Sequence, residues 1–500
     1  ISFVIHIISH LVLEFKKTRN KYRVFVWILA VLLIITSLPV IFPKLFSHFG
    51  IVTKVLENTT LNYTLFAFYA FTFLFNTIVS MLGKKTNPSL ILSVSFFIII
   101  LLGTITLMFP KCTLETISIS WVDALFTSTS AVCVTGLVPF DISEIFTTLG
   151  IVVILCLIQI GGLGVMTLTS FFAMFFMGNY SIYNQLVIKD MVSSNSLGSS
   201  IMKTLLQVLT FTIVIELFGA LFIFNSIHGT LNMSIYQEIF FSIFHSVSAF
   251  CNAGFSTLPG NLGNPMIMQN HLSLYVVVSI LVILGGIGFP ILVNLKDIFT
   301  YRIKKLRKLF NPEVETQYVK HLYNLNTRIV LITTAILLVA GAVIFAVIEW
   351  DRTLAGMSVS EKIVHSFFNS AIPRSAGFNS VSNVDLHLNT ILIVILLMWI
   401  GGASQSTAGG IKVNSFAVSI MNLYAVIRNS TRVECFGREI SPDSVRRSNA
   451  TIVLSLITLF IAIFIVNLLE PEIDLLPIVF ECVSALNTVG ASMNVTANLC

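Results

Sequence analysis

Apolar runs long enough to cross a bilayer recur along this chain, with short polar stretches between them. A hydrocarbon core near 30 Å thick needs about 20 helical residues. Residues 24–42, 61–82, 89–109, 146–177, 204–227, 272–295, 328–348, 389–426 and 449–469 supply such runs. The pattern predicts an all-α integral membrane protein with several crossings. The runs 146–177 and 389–426 are too long for one plain crossing, so each is expected to tilt, bend or project. Between the crossings lie shorter, half-apolar segments at 121–131, 236–250, 360–372 and 475–486. Each is too short to span and too apolar for an ordinary loop. That is the profile of a re-entrant segment, which is tolerated only where protein buries it or where it lines a watery cavity.

Composition fits the same solvent. Of the 500 residues, 56% are apolar and 10% are charged, against about 25% charged in a soluble chain. The net charge of +6 is carried in clusters at Lys16–Arg23, Lys84–Lys85, Lys296–Lys308 and Arg428–Arg447. Each cluster abuts an apolar run, so the positive-inside rule explains them and no nucleic-acid partner is expected. Placing Lys16–Arg23 inside makes the N-terminus cytoplasmic. The same register puts 84–85, 296–328 and 427–448 inside and the four short segments outside. The seven cysteines show no metal-ligand or disulfide spacing, and no cleavable signal pattern is evident.

The four short segments end alike. They read SAVCVTG (130–136), SAFCNAG (248–254), AIPRSAG (371–377) and SALNTVG (484–490), with glycines 118, 123 and 113 residues apart. Ten residues before each glycine stands a phenylalanine: Phe126, Phe244, Phe367 and Phe480. Four such units can surround one axis. The C-terminal end of each short helix then points inward, where the helix dipole favours a cation. The residues that follow can aim backbone carbonyls at the axis in place of an ion's hydration shell. The candidate ligands are the carbonyls of Val134, Thr135 and Gly136; Asn252, Ala253 and Gly254; Ser375, Ala376 and Gly377; and Thr488, Val489 and Gly490. None of these side chains is a carboxylate, which disfavours a divalent ion.

Glycine pairs recur downstream in IGGLG (160–164), LGGIG (284–288) and IGGAS (400–404). Close helix packing accounts for Gly161–Gly164 and Gly285–Gly288. GGASQSTAGGIK (401–412) differs, because four glycines in twelve residues make a continuous helix costly at ~1 kcal/mol each. A non-helical plug is expected there, with Lys412 holding its inner end electrostatically. Arg374, inside the third motif, is expected to turn from the axis and anchor its loop on a carboxylate such as Glu481 or Asp123. His245 and His365 fall at unmatched offsets and read as packed residues rather than metal ligands. A secondary solute transporter would show inverted repeats and a charged midplane site. These repeats are parallel, and Glu216 is the main intramembrane carboxylate. No catalytic cluster recurs, so no enzyme is expected.

The motifs SAVCVTGL, SAFCNAGFS, FNSAIPRSAGFNS and ECVSALNTVG resemble the four selectivity-filter loops of the Trk/Ktr/HKT potassium transporter superfamily. The resemblance runs from about residue 88 to the end, is strengthened by IQIGGLGVMT (158–167) and GGASQSTAGGIK, and looks closest to the KtrB/TrkH branch. It implies four parallel helix–pore helix–helix repeats around a central pore, plus two extra N-terminal transmembrane helices. The corresponding ranges are 1–87 for the N-terminal pair, 88–178, 179–295 and 296–426 for the first three repeats, and 427–500 for a fourth whose inner helix is missing. Potassium uptake across the bacterial inner membrane is the implied function; a sodium-selective or sodium-coupled transporter is the alternative. The resemblance makes the plug a gate formed by Gly401, Gly402, Ala403, Ser404, Gln405, Ser406, Thr407, Ala408, Gly409 and Gly410. It also implies a homodimer in membrane lipid, with a cytoplasmic ring of KtrA/TrkA-like nucleotide-binding subunits. This chain has no such domain and needs no cofactor; potassium is its transported ion. Cys133 and Cys251 depart from the family pattern, where Thr or Asn is more usual. Only ten residues follow Gly490, so the full reading frame is expected to continue for about 35 to 60 residues, enough for one more span of ~20.

Overall fold

The computed structural model describes residues 88–114, 119–164, 201–230, 233–268, 271–310, 324–430 and 432–498. The expected crossings at 24–42 and 61–82, the far part of the 146–177 run and the clusters Lys16–Arg23 and Lys84–Lys85 lie outside the described residues. Two compact units divide the chain, 1–95 with 165–205 and 96–164 with 206–500. The second carries all the contacts discussed below.

The described chain is mostly helical. In order run α1 (Pro88–Leu107), α2 (Trp121–Val132), α3 (Thr148–Gly162), α4 (Ile201–Ile227), α5 (Ile235–Phe250), α6 (Leu272–Ile287), α7 (Phe289–Phe310), α8 (Leu325–Glu349), α9 (Val359–Ala371), α10 (Leu388–Trp399), α11 (Val413–Ile427), α12 (Pro442–Leu469) and α13 (Leu475–Leu486). A two-residue hairpin, β1 (Glu434–Cys435) and β2 (Arg438–Glu439), separates α11 from α12. Residues 206–227 of α4, together with α8 and α12, are long and apolar enough to cross a membrane. Leu454, Phe460 and Leu468 of α12 are 65–72% exposed. Such a face is stable only when lipid or another apolar surface covers it.

The four short segments are the helices α2, α5, α9 and α13, and local sequence explains where three of them begin. Ser120 accepts from Asp123 N–H at the start of α2. Ser234 with Gln237, and Ser358 with Glu361, form full capping boxes on α5 and α9. Each cap satisfies backbone donors that a helix leaves open and contributes ~1 kcal/mol.

Two predicted crossings break. The apolar run 272–295 predicts one spanning helix; instead α6 stops at Ile287 and the chain turns by 102° into α7. Gly288 makes the turn at φ 95°, and the freed Phe289 N–H donates to Gln405 O at 3.1 Å. So Gly288 is a hinge, not only a packing residue. The basic and apolar positions mixed along α7 suit a membrane surface better than its core. The 389–426 run divides into α10 and α11, with a non-helical stretch between them that is bridged at Ile400 and Ile411.

A joint that the glycine motifs do not reveal occurs three times. Ser128, Ser246 and Ser370 on the short helices donate to Ile100 O, Glu216 O and Leu338 O on α1, α4 and α8, at 2.8, 2.6 and 2.8 Å. Three residues beyond each acceptor stands a glycine, Gly103, Gly219 or Gly341. A Cβ there would strike the serine hydroxyl and a leucine of the following helix: Leu157, Leu281 or Leu397. Gly219→Ala is therefore expected to destabilise the fold by ~1–3 kcal/mol through overpacking. A lower melting temperature in detergent would register this, and an unchanged one would remove the joint's structural weight. The matched phenylalanines do not share one environment: Phe244 and Phe480 are fully buried, whereas Phe126 is 39% exposed.

Candidate functional site

Each short helix runs into a loop with the same unusual backbone. Val134, Asn252, Ser375 and Thr488 take left-handed φ values of 57°, 59°, 87° and 50°. Two residues later Gly136, Gly254, Gly377 and Gly490 do the same, at 88°, 71°, 64° and 86°, while the residue between them does not. Alternating hands in this way turns successive carbonyls toward one side instead of the opposite sides a strand would give them. A left-handed non-glycine costs ~1–2 kcal/mol and is a marked outlier for β-branched Val134 and Thr488. Strain repeated at four matched positions points to function.

The backbone donors face away from those carbonyls. Thr135, Ala253 and Val489 N–H donate back to Ser130, Ser248 and Ser484 O at 2.7, 2.7 and 2.8 Å. Ala376 N–H reaches Ile372 O at 3.0 Å. Each loop is thereby tied to the end of its own helix.

The loops close on one another in order. A Cβ on Gly136 would meet the Ala253 carbonyl, and one on Gly254 the Ala376 carbonyl. One on Gly377 would meet the Val489 carbonyl, and one on Gly490 the Thr135 carbonyl. Four glycines, each facing the carbonyl before the next, make a closed circuit. The only side chain that fits at these positions is hydrogen, because the missing atom would occupy the space of a neighbour's oxygen. The four glycines and the residues just before them thus come together around one ring, though they are spread from Thr135 to Gly490 in the sequence.

Residues 400–412 pack directly against this ring. Thr407 Oγ1 donates to Phe250 O at 3.0 Å, and the Asn252 amide lies 3.1 Å from the same hydroxyl. Gly409 N–H donates to Ser375 Oγ at 2.8 Å, and Ser375 Oγ donates to Thr488 O at 2.9 Å. Ala403 N–H and Thr407 N–H donate to Gly286 O and Gly285 O of α6 at 2.8 and 3.3 Å. The segment therefore touches the second and third loops, and the fourth as well, where a Cβ on Gly409 would overlap Thr488 Oγ1 and the Asn487 carbonyl. Lys412 is held by a backbone carbonyl, its Nζ donating to Ala408 O at 2.5 Å.

Arg374 does turn aside, but not to a carboxylate. Its Nη2 donates to Gly401 O at 3.3 Å, and its side chain is buried among α6, α8 and α9. Glu481 is already occupied, accepting from Met493 and Val495 N–H at 3.2 and 3.1 Å, from Thr496 Oγ1 at 2.8 Å and from Ser492 Oγ. Asp123 sits in the first turn of α2 with Ser120. The guanidinium therefore links the third loop to the 400–412 segment.

Gly161 and Gly285 keep the packing role the sequence suggests. A Cβ on them would strike the carbonyls of Val132 and Phe250, the last residues of α2 and α5. His245 bonds Phe241 O and Ser256 Oγ, both at 2.9 Å, and His365 packs on the Tyr275 ring. Among the described residues no group of three His, Cys, Asp or Glu side chains is placed to hold a metal.

Three comparisons bear on this geometry. The sequence profile of the TrkH family, described as cation transport protein, matches residues 62–499. The chain is 33% identical over 421 residues to the potassium/sodium uptake protein NtpJ of Enterococcus hirae, covering 83% of this chain and 88% of that one. It is 34% identical over 418 residues to the Ktr system potassium uptake protein B of Bacillus subtilis, covering 83% and 87%. Among solved structures it resembles the potassium transporter TrkH from Vibrio parahaemolyticus, with a TM-score of 0.63 at 15% identity, covering 95% of this chain and 91% of that one. At that identity the likeness is one of fold.

Proposed function

The chain belongs to the TrkH family of cation transport proteins, a family of multi-pass membrane transporters and not of enzymes, and from that premise we propose that it takes up potassium. The observation that carries this reading is the closed ring of four glycines with backbone carbonyls between them. Uncharged carbonyls on a ring of this kind suit a weakly held monovalent cation that must leave as readily as it enters. The ions pass along the carbonyls of 134–136, 252–254, 375–377 and 488–490. Each strand of this filter is delivered by one of four parallel repeats, divided at 88–178, 179–295, 296–426 and 427–500.

The stretch 401–410 acts as the gate. Its non-helical backbone and its bonds to Asn252, Ser375 and α6 support that role. As proposed, the protein lies in a bacterial inner membrane with its N-terminus in the cytoplasm. It works as a homodimer, and a cytoplasmic nucleotide-binding subunit controls the gate. The name of the B. subtilis relative, a component of a Ktr system, supports a partner of that kind. A second reading, sodium carried with or instead of potassium, draws on the name of the E. hirae relative.

Expression in cells stripped of their own potassium systems separates the two. Growth and uptake at low potassium, with little response to sodium, are expected. Uptake of sodium alone would overturn the potassium reading.

A further inference from the structure

Glu216 stands in the apolar helix α4 and is buried, with 8% of its surface exposed. Its Oε2 accepts from Gln159 Nε2 of α3 at 3.1 Å, and its Oε1 lies 3.8 Å from the Cys251 thiol. Cys251 caps α5 and immediately precedes Asn252, the left-handed residue of the second loop. Gly162 leaves room for the thiol, since a Cβ there would overlap Cys251 Sγ. The carboxylate is therefore fastened to the back of the second filter loop, at the junction of two repeats.

Its surroundings differ from those of the other buried carboxylates among the described residues. Glu238 pairs with His228 Nδ1 at 2.8 Å and accepts from Gly229 N–H at 3.1 Å. Glu349 accepts from His387 N–H at 2.9 Å, Thr390 Oγ1 at 2.5 Å and Thr353 Oγ1 at 2.9 Å. Glu481 has the donors given above, and these sets satisfy an anion in place. Glu216 has one amide and one weak thiol donor. It also lies at the C-terminal end of α5, where the helix dipole repels a negative charge. Among the described residues no Lys, Arg or His forms an ion pair with it. Cys251 is, among the described residues, the one titratable side chain in hydrogen-bonding contact with it. Lys296 of α7 addresses the same helix nearer its start, 5.7 Å from the Phe211 ring. A buried carboxylate so poorly supplied with donors is an expensive way to hold a fold, and an ionisable group inside a membrane is by default functional.

We propose that Glu216 is the counter-charge of the second filter loop: ionised, it raises the filter's affinity for a monovalent cation, and a proton on it competes with that cation. The inference rests on the filter reading. Coupling of this kind is reciprocal, so a cation in the filter favours the ionised carboxylate as much as the carboxylate favours the cation. A unit charge acting over roughly 10 Å at an effective dielectric of ~20 changes cation binding on the order of tenfold.

The test is potassium uptake into proteoliposomes holding the full-length protein, with equal pH on both faces. Glu216→Gln keeps the shape and, through its amide oxygen, the bond from Gln159 Nε2, but not the charge. It is expected to raise KM on the order of tenfold with little change in maximal rate, and to remove the dependence of KM on pH. Glu216→Asp is expected to restore most of the affinity. An unchanged KM in Glu216→Gln overturns the proposal. Should that variant not assemble, dicyclohexylcarbodiimide, which attacks the protonated carboxyl, serves on the unaltered protein. Labelling of Glu216 slowed by potassium relative to choline supports the proposal, and equal labelling overturns it. Gly136→Ser in the same assay keeps the two readings apart. If it shifts ion preference while Glu216→Gln leaves KM alone, only the counter-charge fails. If it leaves preference alone while Glu216→Gln raises KM, the filter reading fails instead.

Discussion

Gly136→Ser is expected to collapse the preference for potassium over sodium, lowering the ratio of the two uptake rates on the order of tenfold or more. Two costs combine at this position. Gly136 holds φ 88°, which any L side chain adopts only with strain of ~1–2 kcal/mol. The new Cβ would also fall on the Ala253 carbonyl and within 3.4 Å of Gly490 Cα. Something must give, and what gives is the ring, since Ser128 and Ser246 hold α2 and α5 against α1 and α4. A carbonyl moved by a fraction of an ångström no longer matches the ion whose hydration shell it replaces. Because ~1.4 kcal/mol corresponds to a factor of ten, a strain of this size is enough to erase the discrimination. Gly254→Ser should behave alike, its Cβ 2.6 Å from Ala376 O. Uptake measured with each ion alone decides the matter, and an unaltered ratio in both variants would remove the ring from selection.

Deleting Ser404–Thr407 is expected to raise potassium flux through the unregulated protein on the order of tenfold. The deletion removes Thr407 N–H from Gly285 O, Thr407 Oγ1 from Phe250 O, Gln405 O from Phe289 N–H and Ser404 N–H from Asn414 Oδ1. At ~1 kcal/mol net for each bond, the closed arrangement loses far more than a small bias. Thr407→Val removes one hydroxyl and should produce a smaller rise of the same sign. Flux through proteoliposomes without any regulatory subunit measures both. A deletion variant that leaks no more than the unaltered protein would show that the 401–410 segment does not limit passage.

Features that depend on a few neighbouring residues are legible in the amino-acid sequence. The starts of α2, α5 and α9 follow from Ser120, Ser234 and Ser358, each with an Asp, Gln or Glu three residues on. The interruption of 389–426 follows from four glycines within 401–412, because holding glycine in a helix costs backbone entropy wherever it sits. The likeness of the four loop motifs is legible for a related reason. Left-handed positions favour glycine, and a chain that requires it four times in register shows it four times.

Other features depend on partners that are distant in sequence. Charge alone directs Arg374 to a carboxylate, yet it bonds Gly401 O, 27 residues away. In a buried site any near acceptor serves, and which one is near depends on packing. The bend at Gly288 is hidden because an apolar run looks the same whether it crosses straight or turns, and Gln405, which takes the freed Phe289 N–H, comes from the distant stretch between α10 and α11. The serine–glycine joints of α1, α4 and α8 escape a sequence reading because single small residues in apolar helices carry no mark until a partner is laid against them. Glu216 stands out as an odd charge in an apolar helix, but its place behind Asn252 is made by α3 and α5 together. The sequence by itself determined the left-handed turns at the loop glycines and the apolar faces of the helices, because steric and solvation preferences act residue by residue; left-handed Val134 and Thr488 run against those preferences. Only the tertiary structure decided which carbonyl meets which glycine and which donor meets which charge, because those partners are equivalent in chemistry and differ only in where the packed helices bring them.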